Sequence, residues 1–331
     1  SVGYAGMSSL SDQACFLTQR HTKIKEEIDK HIDKRKRSRI MVSMNRLDPA
    51  TRAQILRCLV EGNSMLATAR LTDTSKNTVK KLLSDAGRAC AAYQDAMLHD
   101  LPCKRVQMDE IWSFTYAKQK NVAGAKAAPE GAGDTWTWTA ICADTKLAIS
   151  WLVGDRDAAH AHAFVQDVYE RLAGRVQLTS DGLGAYINAV RDVFGIDVDY
   201  AQLVKTYGAS PESAKGRYSP AECTGAKKVR IEGKPDRDHV STSFVERQNL
   251  TMRMAMRRFT RLTNGFSKKI ENHAHAVALH FMYYNFARIH KTLKISPAMA
   301  AGVTDKLWDV ADIVRMIEGY ETAIQGAGGS N

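Results

Sequence analysis

Gln107-Met108-Asp109-Glu110-Ile111-Trp112 sets two adjacent acids into an apolar run. Val106, Met108, Ile111 and Trp112 have the pattern of a buried strand. Downstream, Thr135-Trp136-Thr137-Trp138-Thr139-Ala140-Ile141-Cys142 alternates small polar residues with larger ones, a strong strand signal. The alternation puts Trp136 and Trp138 on one face, as core groups rather than base-stacking groups. Between these strands, Lys118 to Gly133 is rich in Ala, Gly and Lys and reads as a mobile hairpin tip. Ala148 to Val153 predicts a third strand. Ala163, Phe164, Val168 and Leu172 predict an amphipathic helix over 158–173. A fourth strand follows from Arg175 to Thr179, then a helix from Leu183 to Phe194 and a short fifth strand from Asp197 to Tyr200.

Three hairpin-like strands, a helix, a strand, a helix and a strand make a mixed α/β order. It is compatible with a ribonuclease H-like sheet covered by helices. This catalytic-type domain is expected over 103–290. A basic loop insertion at 205–240 carries Lys227-Lys228 and Arg230; long loops of this kind are more often functional or mobile than neutral. Helices resume near Ser243, at 270–288 and at 305–318, and 291–325 is read as a C-terminal helical region ahead of a flexible tail from Gly326 to Ser330.

Upstream, Asp48-Pro49 is an N-cap followed by proline at the first helical position. Ile55, Leu56, Leu59 and Val60 form a stripe that Gly62-Asn63 ends. Ser64 caps a second helix and Ser75 a third, which Gly87 is expected to close. Residues 47–87 therefore predict a helix-turn-helix domain. Its last helix would present Lys76, Asn77 and Thr78 to base edges, with Lys80 and Lys81 for phosphates. The competing reading is a plain three-helix bundle. Residues 88–102 read as a connecting helix. Residues 1–46 read as a flexible basic N-terminal segment, with Lys34-Arg35-Lys36-Arg37 adding non-specific affinity for DNA.

The chain has 331 residues, 47 Lys and Arg against 36 Asp and Glu, and net charge +11. That balance favours a polyanion. No apolar run of about 18 residues is present, so no membrane span is expected, and the N-terminus lacks a signal-peptide pattern. The six cysteines are scattered without CxxC spacing, which fits a reducing cytosol and no zinc pair.

Two further acidic islands accompany the first: Thr179-Ser180-Asp181-Gly182 after the fourth strand, and Phe244-Val245-Glu246-Arg247-Gln248-Asn249 opening a basic helix. Phosphodiester cleavage needs an activated oxygen nucleophile and neutralisation at the leaving oxygen. Two Mg²⁺ ions about 3.5–4 Å apart supply both, held by a few carboxylates. Asp109, Asp181 and Glu246 are the candidate catalytic and metal-binding residues. Glu110 rivals Asp109, and strand alternation lets only one of the two face the site. Asn249 at i+3 and Arg253 at i+7 share the Glu246 face. Arg253 could hold a phosphate, and Asn249 could orient Glu246 or a water. Arg257, Arg258, Arg261, Lys268 and Lys269 extend the positive surface. The paired histidines His160/His162 and His273/His275 are two apart, a spacing that does not align ligands on a helix, and His290 reads as structural.

At these residues the chain resembles the transposases of bacterial insertion sequences, specifically the insertion-sequence-one family. The likeness lies in Met108-Asp109-Glu110 with Trp112, Ser180-Asp181-Gly182-Leu183 with Tyr186, and Val245-Glu246-Arg247-Gln248-Asn249-Leu250. It continues through Phe266-Ser267-Lys268-Lys269, Tyr284-Asn285-Phe286 and Ser296-Pro297-Ala298-Met299. It spans roughly 47–303. The resemblance implies a ribonuclease H-like core with Asp109, Asp181 and Glu246 as a triad for Mg²⁺, with Mn²⁺ substituting. It implies terminal inverted repeats and target DNA as double-stranded partners, cleavage and joining through a 3′-hydroxyl, and at least a dimer on paired ends. It also implies a bacterial, nucleoid-associated location in the cytoplasm. The founding members carry an N-terminal zinc finger, and no such ligand spacing is visible here. A nuclease or resolvase that only hydrolyses, and a DNA-binding regulator with an idle core, are the alternatives.

Overall fold

The computed structural model describes residues 46–208, 223–260 and 263–327. The expectations for 1–45, Arg261 and the last four residues lie outside that range. In the unit that begins at Asp48, three helices come first: α1 (Pro49–Val60), α2 (Met65–Leu71) and α3 (Lys76–Met97). Each starts where a side chain satisfies a free backbone N–H. Asp48 accepts from Thr51 N at 2.9 Å, Ser64 from Ala67 N at 3.1 Å and Ser75 from Thr78 N at 3.0 Å. The expected break at Gly87 does not occur, and the predicted connecting helix is the second half of α3. Glycine serves close packing there: a Cβ on Gly87 would stand 2.3 Å from the His275 Cβ.

The sheet has six strands: β1 (Arg105–Thr115), β2 (Gly133–Cys142), β3 (Ala148–Gly154), β4 (Val176–Ser180), β5 (Val198–Tyr207) and β6 (Cys223–Glu232). Their order is β3-β2-β1-β4-β5-β6. The first three pair antiparallel, β4 and β5 run parallel to β1, and β6 returns antiparallel along β5. This is the ribonuclease H-like mixed sheet that the element order implies, widened by one strand. The basic stretch expected as a loop over 205–240 therefore includes the end of β5 and all of β6. A short helix, α4 (Gln119–Val122), sits in the segment between β1 and β2.

Helices cover both faces. After β3, α5 (Ala158–Glu170) and, after β4, α6 (Ala185–Phe194) pack on one side, where Phe164 and Tyr186 meet the fully buried Trp138. On the other side lie α7 (Ser243–Ala255) and α8 (Ile270–Met282), with Phe281 stacked on Trp151. A turn of π-helix, Tyr283–Ala287, extends α8. Its Asn285 accepts from Ala148 N and donates to Ala148 O, both at 2.9 Å. The side chain thus satisfies backbone groups on the outer edge of β3, which blunts that edge. Two more helices, α9 (Pro297–Ala300) and α10 (Val310–Ala327), complete the described chain. Arg52 of α1 bonds Glu321 of α10 at 2.6 Å, so the N-terminal helices are anchored to the end of the fold.

Candidate active site

The shortness of β4 decides where the site lies. Its pairing with β1 ends at Met108↔Ser180 and with β5 at Ser180↔Gln202. β1 continues to Thr115 and β5 to Tyr207. A notch therefore opens between them at the carboxyl end of a parallel strand, the place where open α/β sheets bind ligands. Asp181 follows Ser180 directly into this notch, and its Oδ1 accepts from Leu183 N at 3.0 Å.

Asp109 and Glu110 border the notch from β1. Alternation sends their side chains to opposite faces, yet both reach the cluster, contrary to the expectation that only one would. One carboxylate oxygen from each of Asp109, Glu110 and Asp181 lies within 4.8 Å of the other two. With no β4 residue beyond Ser180 to fill the edge of β1, carboxylates from either face can turn inward.

The two β1 acids have different supports. Glu110, on the α5–α6 face, accepts from Arg156 Nε at 2.6 Å and from the Tyr186 hydroxyl at 3.1 Å. Arg156 also stands 3.9 Å from Asp181 and lies over the Trp136 ring at 4.9 Å. Asp109, on the α7 face, accepts from the Asn249 amide at 2.8 Å. Asn249 thus orients Asp109 rather than Glu246, and its own Oδ1 is buried without a partner. Burial first, then the charges of Glu110 and Asp181, push the Asp109 carboxyl up to about 8. Burial and Asp181 also raise Glu110, against the lowering by Arg156 and Tyr186.

Glu246 stands in the first turn of α7, where the helix dipole favours an acid. Gln107 of β1 fixes that turn: its Oε1 accepts from Phe244 N at 2.8 Å and Val245 N at 3.2 Å. The Glu246 carboxylate is outside the cluster of three. It is held by Lys205 Nζ at 2.5 Å and by the Thr242 hydroxyl. Its charge still contributes to raising Asp109. Burial opposes the Lys205 charge, but the bond to Glu246 raises its pKa.

The donor set suits a hard divalent cation. The converging atoms are carboxylate oxygens, the ligands Mg²⁺ and Mn²⁺ prefer, and their mutual repulsion is what such a cation relieves. Asp109, Glu110 and Asp181 converge closely enough to hold one between them, whereas Glu246 is held apart by Lys205. A second group, Asp155, Asp157 and His160, also comes within 4.8 Å. There Asp157 is the N-cap of α5, accepting from His160 N at 2.8 Å, which accounts for the grouping.

Among the expected DNA contacts, Lys76, Asn77, Lys80 and Lys81 are exposed at the start of α3. Thr78 is half-buried and bonded to Ser75, and Lys81 pairs with Asp85 at 2.6 Å. Arg253 and Arg257 are exposed, and Arg253 forms no ion pair with the acids among the described residues. Arg258 does not extend the positive surface; it donates to Ser267 Oγ at 2.7 Å. Arg156, Lys205, Gln107 and Thr242 were missed by sequence reasoning. Arg156, Lys205 and Gln107 lie far in sequence from the groups they support, so only their contacts across the fold mark them, while Thr242 stands one helical turn before Glu246.

No family model matches this chain, and no curated protein matches it. Three solved structures to which it is similar are transposase complexes. A Mos1 transposase paired-end complex with left transposon end is 14% identical, with 56% of this chain and 72% of that chain covered and a TM-score of 0.21. A piggyBac transposase synaptic complex with hairpin DNA is 10% identical, with 88% and 76% covered and a TM-score of 0.35. A Mos1 mariner paired-end complex with Mn is 13% identical, with 83% and 85% covered and a TM-score of 0.24. These likenesses are slight, and the chemistry of this chain rests on its own residues.

Proposed function

We propose that this chain is a metal-dependent DNA transposase of the insertion-sequence-one type, acting on double-stranded DNA ends and joining them to a target. The reading is carried by the meeting of Asp109, Glu110 and Asp181 within 4.8 Å at the carboxyl end of β4. An oxygen-only cluster in a basic chain of net charge +11 is suited to phosphodiester chemistry. No helix among the described residues is long and apolar enough to cross a membrane.

Asp109, Asp181 and Glu246 are the proposed metal-binding and catalytic acids. They would hold two Mg²⁺ ions, or Mn²⁺ in their place, whose chemistry when bound would be to activate the attacking hydroxyl and neutralise the leaving oxygen. Asn249 keeps Asp109 turned toward the notch. Arg156 and Tyr186 hold Glu110 against the opposite face, and Arg156 offers a positive charge beside Asp181. Lys205 lies next to Glu246, where it can pass from the carboxylate to a phosphate. The start of α3, with Lys76, Asn77, Thr78, Lys80 and Lys81, reads DNA ends, and Arg253 and Arg257 carry the backbone past α7. Action on paired ends requires at least a dimer.

The deciding experiment supplies a pre-cut DNA end bearing a 3′-hydroxyl, a target duplex and Mg²⁺. Joined product is expected from the unaltered chain and none from Asp181→Ala, which should still bind DNA. Hydrolysis without joining would make the chain a nuclease. Joining by Asp181→Ala would remove that residue from the site.

A further inference from the structure

A cavity of about 350 Å³ lies on the outer part of the sheet, lined by Ala201, Lys228, Arg230, Lys234, Arg237 and Val240. Its cations come from two directions. Register places Arg230 opposite Ala201 and Lys228 opposite Leu203. Paired residues share a face, so Arg230 and Lys228 stand on the side of β5 that carries Ala201, Leu203 and Lys205. That side is the α7 side, because Lys205 meets Glu246 there. Lys234 and Arg237 close over the cavity from the segment after β6. Lys228 fixes this segment by donating to the Arg237 carbonyl at 2.5 Å.

All four cationic side chains are exposed, and none forms an ion pair with a described residue. Of the nearby acids, Asp199 is bound by Arg175 at 2.8 Å and also accepts from Lys234 N at 2.7 Å, Glu232 lies 3.8 Å from Arg191, and Asp236 accepts from Asp238 N at 2.9 Å. Four cations with no ion-pair partner among the described residues, set around a floor of Ala201 and Val240, favour a ligand that is anionic, repeating and partly apolar. From Ala201 to Lys205 is four strand residues, so the cavity floor lies ~13 Å along β5 from the lysine that meets Glu246.

We propose that this cavity binds the phosphodiester backbone of DNA and holds a strand on the β5–β6 side of the notch, with Lys205 as the last cation before the acids. It is separate from the start of α3 and from the Arg253 face of α7. The assignment rests on the nucleic-acid reading above. The phosphates belong either to the strand being cut or to a second, target duplex.

The test uses the full chain with Lys228→Gln, Arg230→Gln and Lys234→Gln combined, in the presence of a chelator. Binding to an oligothymidylate and to a random-sequence duplex is followed by anisotropy across a salt series. Each lost phosphate contact should flatten the log–log slope by about 0.7 on the single strand or about 0.9 on the duplex. Three substitutions should therefore reduce it by roughly two units on the single strand or nearly three on the duplex, with an unchanged thermal midpoint. Loss on the single strand assigns the track to the strand being cut, and loss on the duplex alone assigns it to target DNA. An unaltered slope on both ligands, while the unaltered chain binds them, overturns the track and leaves the proposed function standing. Failure of the unaltered chain to bind either ligand overturns both.

Discussion

The notch at the end of β4 and the interior of α8 both bury titratable groups, and in both places burial is the leading force on the pKa. In the notch it pushes Asp109 up to about 8. In α8 it pushes His273 and His280 down to about 3. The neutral form is favoured in both cases. The difference lies in the neighbours. Neutral His280 accepts from the Gln248 amide at 3.2 Å and carries no charge to compensate. Asp109 faces two more acids and a single side-chain amide donor, so ionising it stays costly until a cation arrives. Desolvation alone makes a structural group; desolvation with several like charges at an opening makes a chemical one.

The largest effects should come from breaking the notch. Asp109→Asn and Asp181→Asn should each lower strand cleavage and transfer by ~10³-fold or more, equivalent to several kcal/mol of lost charge stabilisation. The same variants, heated with a chelator present, should melt no lower than the unaltered chain because like-charge repulsion is relieved. A lower midpoint in both would make the cluster a structural network rather than a strained site.

The α8 histidines predict a pH signature. Their folded pKa values lie below the unfolded value of 6.5. Above 6.5 both states are neutral and these groups do not affect stability. As pH falls from 6.5 toward 3, the unfolded chain takes up protons that the native chain refuses, so stability declines. The slope is up to about 1.4 kcal/mol per pH unit for each histidine. Urea midpoints measured from pH 7 to pH 4 should fall, and His280→Gln should flatten part of the decline. A midpoint that is level over this range would mean these rings can protonate in place.

Much of this comparison was legible in the sequence, and the rest was hidden for identifiable reasons. Asp48, Ser64 and Ser75 marked helix starts because capping is local. Thr135–Cys142 and the run around Asp109 marked strands because their alternation is local too. β6 was read as loop because its cations, such as Lys227, Lys228 and Arg230, sit on an exposed edge with no apolar alternation to reveal a strand. Gly87 was read as a helix end because glycine has low helix propensity, whereas contact with His275 is a tertiary demand. Asp109 and Asp181 followed from position after strand-like runs. The turn of Glu110 into the same notch depends on β4 stopping at Ser180, a matter of register. Arg156 and Lys205 have no local signal at all.

Asn249→Ala sharpens the comparison from the α7 side. It removes the amide that orients Asp109 while leaving all the acids in place. Loss of such an orienting partner typically costs 10–100-fold in metal affinity or activity. Calorimetric titration with Mn²⁺ should show weaker binding in that range. Unchanged affinity would reduce Asn249 to a packing residue.

The smallest expected effect tests the opposite face. Arg156→Ala leaves Glu110 with the Tyr186 hydroxyl as its remaining hydrogen-bond donor. The Glu110 side chain is 2% exposed and that of Arg156 is 37% exposed, so solvent screening reduces the cost to about 1 kcal/mol. The loss should show as a lower melting midpoint with a chelator present. Adding Mg²⁺ should recover more of the midpoint in this variant than in the unaltered chain, because a divalent cation takes over the charge that Arg156 provided. Tyr186→Phe, which removes one neutral donor, should cost about 1 kcal/mol without the added Mg²⁺ response. If Mg²⁺ stabilises both variants equally, Arg156 acts on Glu110 alone and contributes nothing to the field around Asp181.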